Sequence, residues 1–474
     1  MSTAIQAQTL DVHRFEPATV PAVLPQVLQN ESDIQSSSEQ QNQSIQNEAL
    51  TQISGTELSQ HPAVMAQLIS QAIQQQQWPL VELLIPAYEE HADADPYLVL
   101  YAKGALYRHK QNYYMAIGAF KALLYLDPAL SYVQLDLAVM QIEDKRYAEA
   151  MSTLEALLKQ PETPTAVREI ASRYIDSLQK LYSPNVEFSL SYTRNDNVNQ
   201  ASAERTLELW GATFEKNPDS LPKSGHGVSY GVNVTKLTAL HGNHSLWLGL
   251  QYRGMYYWDQ KDYNERVLRL APAYLYQSHH QWLRIGPVYE KTWLGSQQYG
   301  DRFGVQAEYG LQVIPQHYVI PTLEYAYKNY DDSRLRPYEG NAYSAGLSWV
   351  YQPRAGVSLS AGAYYQQDHL RDKAESSRTI SARLGGSYRW VNGLNVQANL
   401  QVGRRHFDAP HFLFNDVRKD REAGVSFGLW HSKFSVMGIT PKLVYRYNRV
   451  NSNMPALYSR TSKGFMLEIV DMAF

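Results

Sequence analysis

The side chains able to do chemistry are scattered rather than gathered. Fourteen histidines are spread over 474 residues. His241 and His244 stand three apart, and His279 and His280 are adjacent. Both pairs fall in stretches that read as turns, not on a helix whose spacing would aim two imidazoles at one metal. Ordinary turn histidines are the plainer reading. A serine hydrolase needs Ser, His and an acid or amide orienter meeting on a rigid wall, and no local motif supplies them. No glycine-rich phosphate loop is present. The chain has no cysteine, which excludes a disulfide framework, a thiolate metal site and a cysteine nucleophile. The expectation is a protein that is not an enzyme and needs no cofactor. Six charges remain of interest: Glu324, Lys328, Arg383, Arg389, Lys442 and Arg446. Each sits on the polar side of an alternating stretch. They read either as the solvated, ion-paired interior of a barrel or as a polar conduit for a passing chain, and composition does not choose between the two.

The elements that must position these charges are strands. From residue 183 to 474 the pattern alternates with period two. Phe303, Val305, Ala307, Tyr309 and Leu311 interleave with Gly304, Gln306, Glu308, Gly310 and Gln312. Leu394, Val396, Ala398, Leu400 and Val402 interleave with Asn395, Gln397, Asn399 and Gln401. The strands are long enough for a tilted membrane span, about ten residues or more. Their apolar rows often end in Tyr or Trp, as at Tyr256, Tyr257 and Trp258. The chain carries 35 Tyr and 9 Trp against 12 Phe, a bias that suits membrane interfaces. Fourteen strand candidates can be counted between 186 and 474. An even number returns both barrel ends to one side, the periplasm, so a domain before the first strand is periplasmic too. Short links such as Pro353–Arg354 and Val391–Asn392 read as periplasmic turns; the stretch from Asn195 to Gly227 reads as the first surface loop. The final run, Phe465 to Phe474, reads as a strand with Phe474 on the lipid side beside Met472, Val470 and Met466, and Glu468 interrupting the row. Phe474 is then the signal for barrel assembly.

Residues 61–182 are helical in pattern, and one repeat stands out. Tyr113, Ala116 and Phe120 recur 34 residues later as Tyr147, Ala150 and Leu154. That is the tetratricopeptide period, one helical hairpin per copy. Gly104 and Ala138 precede each copy by nine residues, small as close packing of paired helices requires. Tyr107 also falls at a consensus place. An earlier, degenerate copy surrounds Trp78 and Val81 and carries Pro79. First helices of such pairs line the concave face, the usual ligand surface. Here that face takes in Tyr101, Arg108, His109, Tyr132 and Leu135, the expected contacts for a client. Residues 1–60 are rich in Gln, Asn and Ser and read as a polar arm unable to offset its ordering entropy.

Lys and Arg total 43 against 46 Asp and Glu, so nothing recommends a nucleic-acid partner. No run of eighteen apolar residues marks a membrane helix. The start, MSTAIQAQTLDVHRF, has neither basic nor apolar leader regions, so for an outer-membrane protein the expectation is a leader already removed.

The fold class expected is therefore α + β and multidomain: tetratricopeptide-like helices, then an antiparallel transmembrane barrel of about fourteen strands. In its Gly104–Tyr107–Tyr113–Ala116–Phe120 motif, the echo Ala138–Tyr147–Ala150–Leu154, and the strand array ending at Phe474, the chain resembles the surface lipoprotein assembly modulator family. The resemblance covers nearly all of 61–474. It implies an outer-membrane translocator that delivers surface lipoproteins, or related haem- or metal-scavenging secreted proteins. The helical domain would capture the client and the barrel would serve as passage or folding template. The implied partners are that client, outer-membrane lipid, the barrel-assembly machinery and periplasmic chaperones. No catalytic residue carries over. The alternative reading is an exopolysaccharide export porin, against which stand the few repeats and the mixed lumen charges.

Overall fold

A computed structural model of the chain describes residues 61–435 and 439–471. The polar arm expected at 1–60 and the terminal Phe474 lie outside the described residues. Helices come first: α1 (Pro62–Gln74), α2 (Trp78–Glu89), α3 (Pro96–His109), α4 (Tyr113–Leu126), α5 (Ser131–Glu143), α6 (Tyr147–Lys159) and α7 (Thr165–Tyr182). None of the described helices is long and apolar enough to cross a membrane. Local signals set their starts. Asp95 accepts from the Tyr97 amide and Pro96 opens α3; Asn112 accepts from the Met115 amide to cap α4.

The helical repeat is written into the backbone. Each of the first three hairpins turns through one left-handed residue: Gln76, Gln111 and Lys145, at φ 55°, 56° and 64°. In each, the residue after it donates to a carbonyl five positions back: Gln77 to Ala72, Asn112 to Tyr107, Arg146 to Gln141. The degenerate first copy is thus a full structural repeat; Pro79 is accommodated because it sits in the first turn of α2, where its missing N–H is needed by nothing. Gly104 and Phe120 explain the small-residue rule. A Cβ at Gly104 would lie 2.3 Å from the Phe120 ring.

The strands close into one antiparallel barrel. They are β1 (Asn185–Asn195), β4 (Gly225–Ala239), β5 (His244–Tyr257), β6 (Glu265–Gln277), β7 (Gln281–Leu294), β8 (Gln297–Ile314), β9 (His317–Tyr330), β10 (Gly340–Arg354), β11 (Val357–Leu370), β12 (Ser377–Arg389), β13 (Leu394–Pro410), β14 (Val417–His431), β15 (Ile439–Ser452) and β16 (Arg460–Asp471). A two-stranded hairpin, β2 (Thr206–Leu209) with β3 (Ala212–Glu215), rises from the first surface loop. Each strand pairs with its sequence neighbour, and β1 closes on β16 from Leu190↔Ile469 to Asn195↔Gly464. Most links lie where alternation places them. One surface link is only two residues long, because Gly295 at φ 58° lets β7 turn directly into β8.

The face assigned to the last strand needs correction. Phe465, Leu467 and Ile469 are exposed on the outer wall, while Met466 is buried and Glu468 turns inward to meet Lys442. Met466 therefore does not share a lipid-facing row. The charge decides the parity: Glu468 is costly against hydrocarbon, whereas inside it finds a lysine.

Candidate functional site

The helical domain is seated on one end of the barrel, the end that holds the chain's entry into β1. Its seat is α7. Val167, Ala171 and Leu178 are buried along one stripe, with Tyr174, Ile175, Leu181 and Tyr182 partly buried beside them. They join one apolar cluster with Leu237, Leu275, Trp282, Ile320 and Val350 of the barrel. On alternation these five strand residues share the inward face; Ile320, for instance, lies four residues before Glu324 on β9. The lumen thus carries an apolar layer at its periplasmic end, over the sector from β4 to β10, and α7 covers it. Burying a side chain such as Leu178 stabilises the contact by about 1.5–3 kcal/mol.

Two periplasmic turns make the second contact. Asn243 donates its side-chain amide to the Asp144 carbonyl. His279 brings Nδ1 to 3.4 Å from the Glu143 carbonyl oxygen and its ring to 4.8 Å from that of Tyr113. The joint between α5 and α6 is therefore clasped by the barrel. Burial dominates its electrostatics. It pushes the Lys145 ammonium down to about 8 against the pull of Glu143 and Asp144. Burial, then the neighbouring His280 and Lys145, likewise lowers His279.

The lumen has two unlike halves. Across β6 to β9 it is filled by ion pairs. Arg269 lies 3.4 Å from Glu290 and 3.6 Å from Glu324, and donates to Gln306 at 2.8 Å. Arg302 also pairs with Glu324. Arg284 meets Glu308 at 2.9 Å and stands over the Trp247 ring. On the other side is a cavity of about 760 Å³. Its lining comes from β1, β4, β5 and β10 to β16, with only the outer ends of β6 and β7 and no residue of β8 or β9. Ser, Asn, Gln and Gly make up much of it, with charges of both signs at Arg253, Glu265, Arg383, Lys442, Arg446 and Glu468. Its outer roof is Val198 to Gln200 of the first surface loop.

The surface end is held by a stacked cation. Arg418 lies 3.5 Å from the Tyr458 ring centroid and 4.4 Å from that of Phe407, and pairs with Asp420 at 2.6 Å. Tyr458 in turn meets His411 at 3.0 Å. Lys216 donates to the Ala456 carbonyl at 2.9 Å, tying the first surface loop to the last.

All six charges singled out in the sequence face the lumen, but in different settings. Glu324 belongs to the filled half. Lys328 pairs with Asp368 at 2.8 Å, both nearly buried. Arg383 donates to Gln401 at 3.1 Å and Arg389 to Asn395 at 3.1 Å. Lys442 and Arg446 converge on Glu468 at 3.2 and 3.6 Å. The five residues expected to face a client diverge more. Arg108 is tied to Glu143, with Asp136 close by, whose carboxyl burial holds above its ordinary range against the pull of Arg108. His109 stacks on Trp78 at 4.8 Å, and Tyr101 tilts against Phe120 at 5.4 Å. Leu135 packs into the cluster that α7 shares with the barrel. Of the five, Tyr132 and His109 are exposed. Gly104, Ala116, Phe120, Ala138, Tyr147, Ala150 and Leu154 are buried between helices, with Tyr113 at the barrel-facing joint and Tyr107 partly buried.

Sequence reasoning did not find α7 as the seat, or its apolar landing layer. A signal was there: Leu237, Leu275 and Ile320 put apolar side chains on the polar parity, each at the periplasmic end of its strand. Among the described residues no group of three or more His, Asp or Glu is placed to hold a metal ion.

A closed fourteen-stranded wall with an apolar outer face and helices at one end is an outer-membrane architecture, with the helical domain in the periplasm. Residues 185–472 match the family model described as surface lipoprotein assembly modifier, and residues 51–154 match that of its N-terminal tetratricopeptide repeats. The chain belongs to the surface lipoprotein assembly modifier family. Similar members include the surface lipoprotein assembly modifier of Pasteurella multocida, 25% identical, the match covering 84% of this chain and 81% of that one. Surface lipoprotein assembly modifier 1 of Haemophilus influenzae is 26% identical over 85% and 83% of the two chains. The hemophilin secretion modulator of Acinetobacter baumannii is 25% identical over 86% of each. Among solved structures, a Pseudomonas aeruginosa FadL homologue matches with a TM-score of 0.34 at 11% identity, over 64% of this chain and 92% of that one. The modifier resemblance drawn from the repeat motif and the strand array is thus met by both halves of the chain.

Proposed function

We propose that this surface lipoprotein assembly modifier delivers a lipoprotein, or a related secreted haem- or metal-scavenging protein, across the outer membrane. The helical domain captures the client while it is incompletely folded, and the barrel gives it a passage or a folding template. The observation that carries this reading is the seating of a three-hairpin repeat domain directly on the periplasmic mouth of the barrel. A client held on the repeats is then at the lumen without a further transfer. The names of the relatives, lipoprotein assembly modifiers and a hemophilin secretion modulator, support the same client classes. The barrel-assembly machinery that inserts the chain, outer-membrane lipid and periplasmic chaperones complete the set of partners. The charges of both signs along the wall, Arg269 to Glu468, weigh against a polysaccharide porin, whose polymer favours a lumen of one sign.

The test is removal of residues 61–182 with barrel insertion retained, scored as surface exposure of the client on intact cells. Loss of display is expected. Unchanged display overturns the capture role of the repeats.

A further inference from the structure

The two halves of the lumen are not equivalent, and their difference locates the path. In the β6 to β9 half, Arg269, Glu290, Arg302, Glu324, Arg284 and Glu308 interlock across four strands. Opening that half breaks several charge pairs at once, each costly to leave unpaired in a site shielded from water. At its periplasmic end α7 lies over this half and the adjoining β4, β5 and β10, in the apolar cluster that Leu178 shares with Leu237, Leu275 and Ile320. The opposite half is more open: the ion pairs lining it are those of Lys442 and Arg446 with Glu468, and β11 to β16 and β1 contribute no side chain to the apolar cluster under α7. It holds the 760 Å³ cavity. Into that cavity face Ser360, Asn399, Ser426 and Asn448, short donors and acceptors able to meet a peptide N–H or C=O, with Asn399 donating to Ser426 at 3.3 Å. Arg253 also lines the cavity, and its side chain makes no ion pair or hydrogen bond among the described residues. The roof is not a strand but the surface-loop segment Val198 to Gln200. That loop is held by Asn199 to Leu221 and Lys223, Asn197 to Thr461 and Ser202 to Pro455, separate bonds rather than a continuous strand ladder.

We infer that the β10–β16–β1 half of the lumen is the binding path for an extended, unfolded segment of polypeptide, passing beside α7 and leaving under the Val198–Gln200 roof. This assignment rests on the translocator reading and makes it specific. The occupant is a peptide rather than a sugar chain. The aromatics of the cavity wall, Tyr230, Tyr257, Tyr263 and Tyr364, do not form the continuous row of ring faces on which successive sugars stack. Short hydroxyl and amide groups instead suit a backbone with one donor and one acceptor per residue.

The cysteine-free sequence allows a direct test in the full chain. Single substitutions Ser360→Cys and Ser426→Cys mark the proposed path; Thr322→Cys and Val288→Cys mark the filled half on β9 and β7. The probe is the lipoprotein or secreted protein whose display depends on this chain. It carries one cysteine and is stalled in transit by fusion to a domain too stable to unfold. Disulfide-linked complexes are expected at Ser360→Cys and Ser426→Cys, at least tenfold more than at Thr322→Cys and Val288→Cys. Complexes confined to the filled half overturn the assignment, as does their absence at all four positions while display still depends on the chain. Recovery of glycan rather than peptide at the proposed path overturns the choice of occupant. If display does not depend on the chain at all, it is the translocator reading itself that fails.

Discussion

Small residues and buried charges set what this molecule tolerates. Gly104 sits where α3 crosses α4, and a Cβ there would lie 2.3 Å from the buried Phe120 ring. Gly104→Ala is expected to destabilise the helical domain by about 1–3 kcal/mol, read as a lower urea midpoint, despite alanine's better helix propensity. His279 makes the joint with the barrel sensitive to pH. Burial first, then His280 and Lys145, hold it below its ordinary value of 6.5, with Glu143 pulling the other way. Undocked, the ring binds a proton more readily than docked. The contact is therefore full above about pH 6.5 and is lost progressively as pH falls below that value. Protease cleavage between α5 and α6 should rise from pH 7.5 to 5.5, and His279→Gln should flatten that dependence.

At the scale of elements, α7 carries the union of the two domains. Leu178→Ala is expected to cost about 2–5 kcal/mol of that contact, whereas Leu83→Ala, at an exposed site on α2, should stay within about 0.5 kcal/mol. Hydrogen exchange along α7 separates the two outcomes. Much of the element pattern was legible beforehand, because it rests on local signals. The Tyr113–Ala116–Phe120 spacing is a local packing rule, and alternation along β8 or β13 records two chemically opposite environments. What escaped the sequence depends on contacts made far along the chain. α7 reads as an ordinary amphipathic helix until Leu237 and Ile320 are brought beneath it. The parity of β16 was misread from Met466 because it is fixed by a partner, Lys442, on the neighbouring strand. The first repeat looked degenerate because Pro79 breaks its consensus, yet the left-handed turn at Gln76 keeps its geometry. The candidate site was legible only in outline. The inward charges could be named, but which of them fill the lumen and which border a cavity depends on the curvature of the closed sheet.

For the whole molecule, a periplasmic repeat domain, an apolar seat, an asymmetric lumen and a looped roof follow one another from the periplasmic end to the surface end. That order is the one the proposed translocation requires, with capture first and release last. The most direct measurement compares the surface proteins of intact cells with and without this chain, shaved by protease and counted. The account predicts that one or a few lipoproteins or secreted proteins disappear from the surface while their cellular amounts persist. Equal surface counts in both strains, with the barrel verified as inserted, would contradict it.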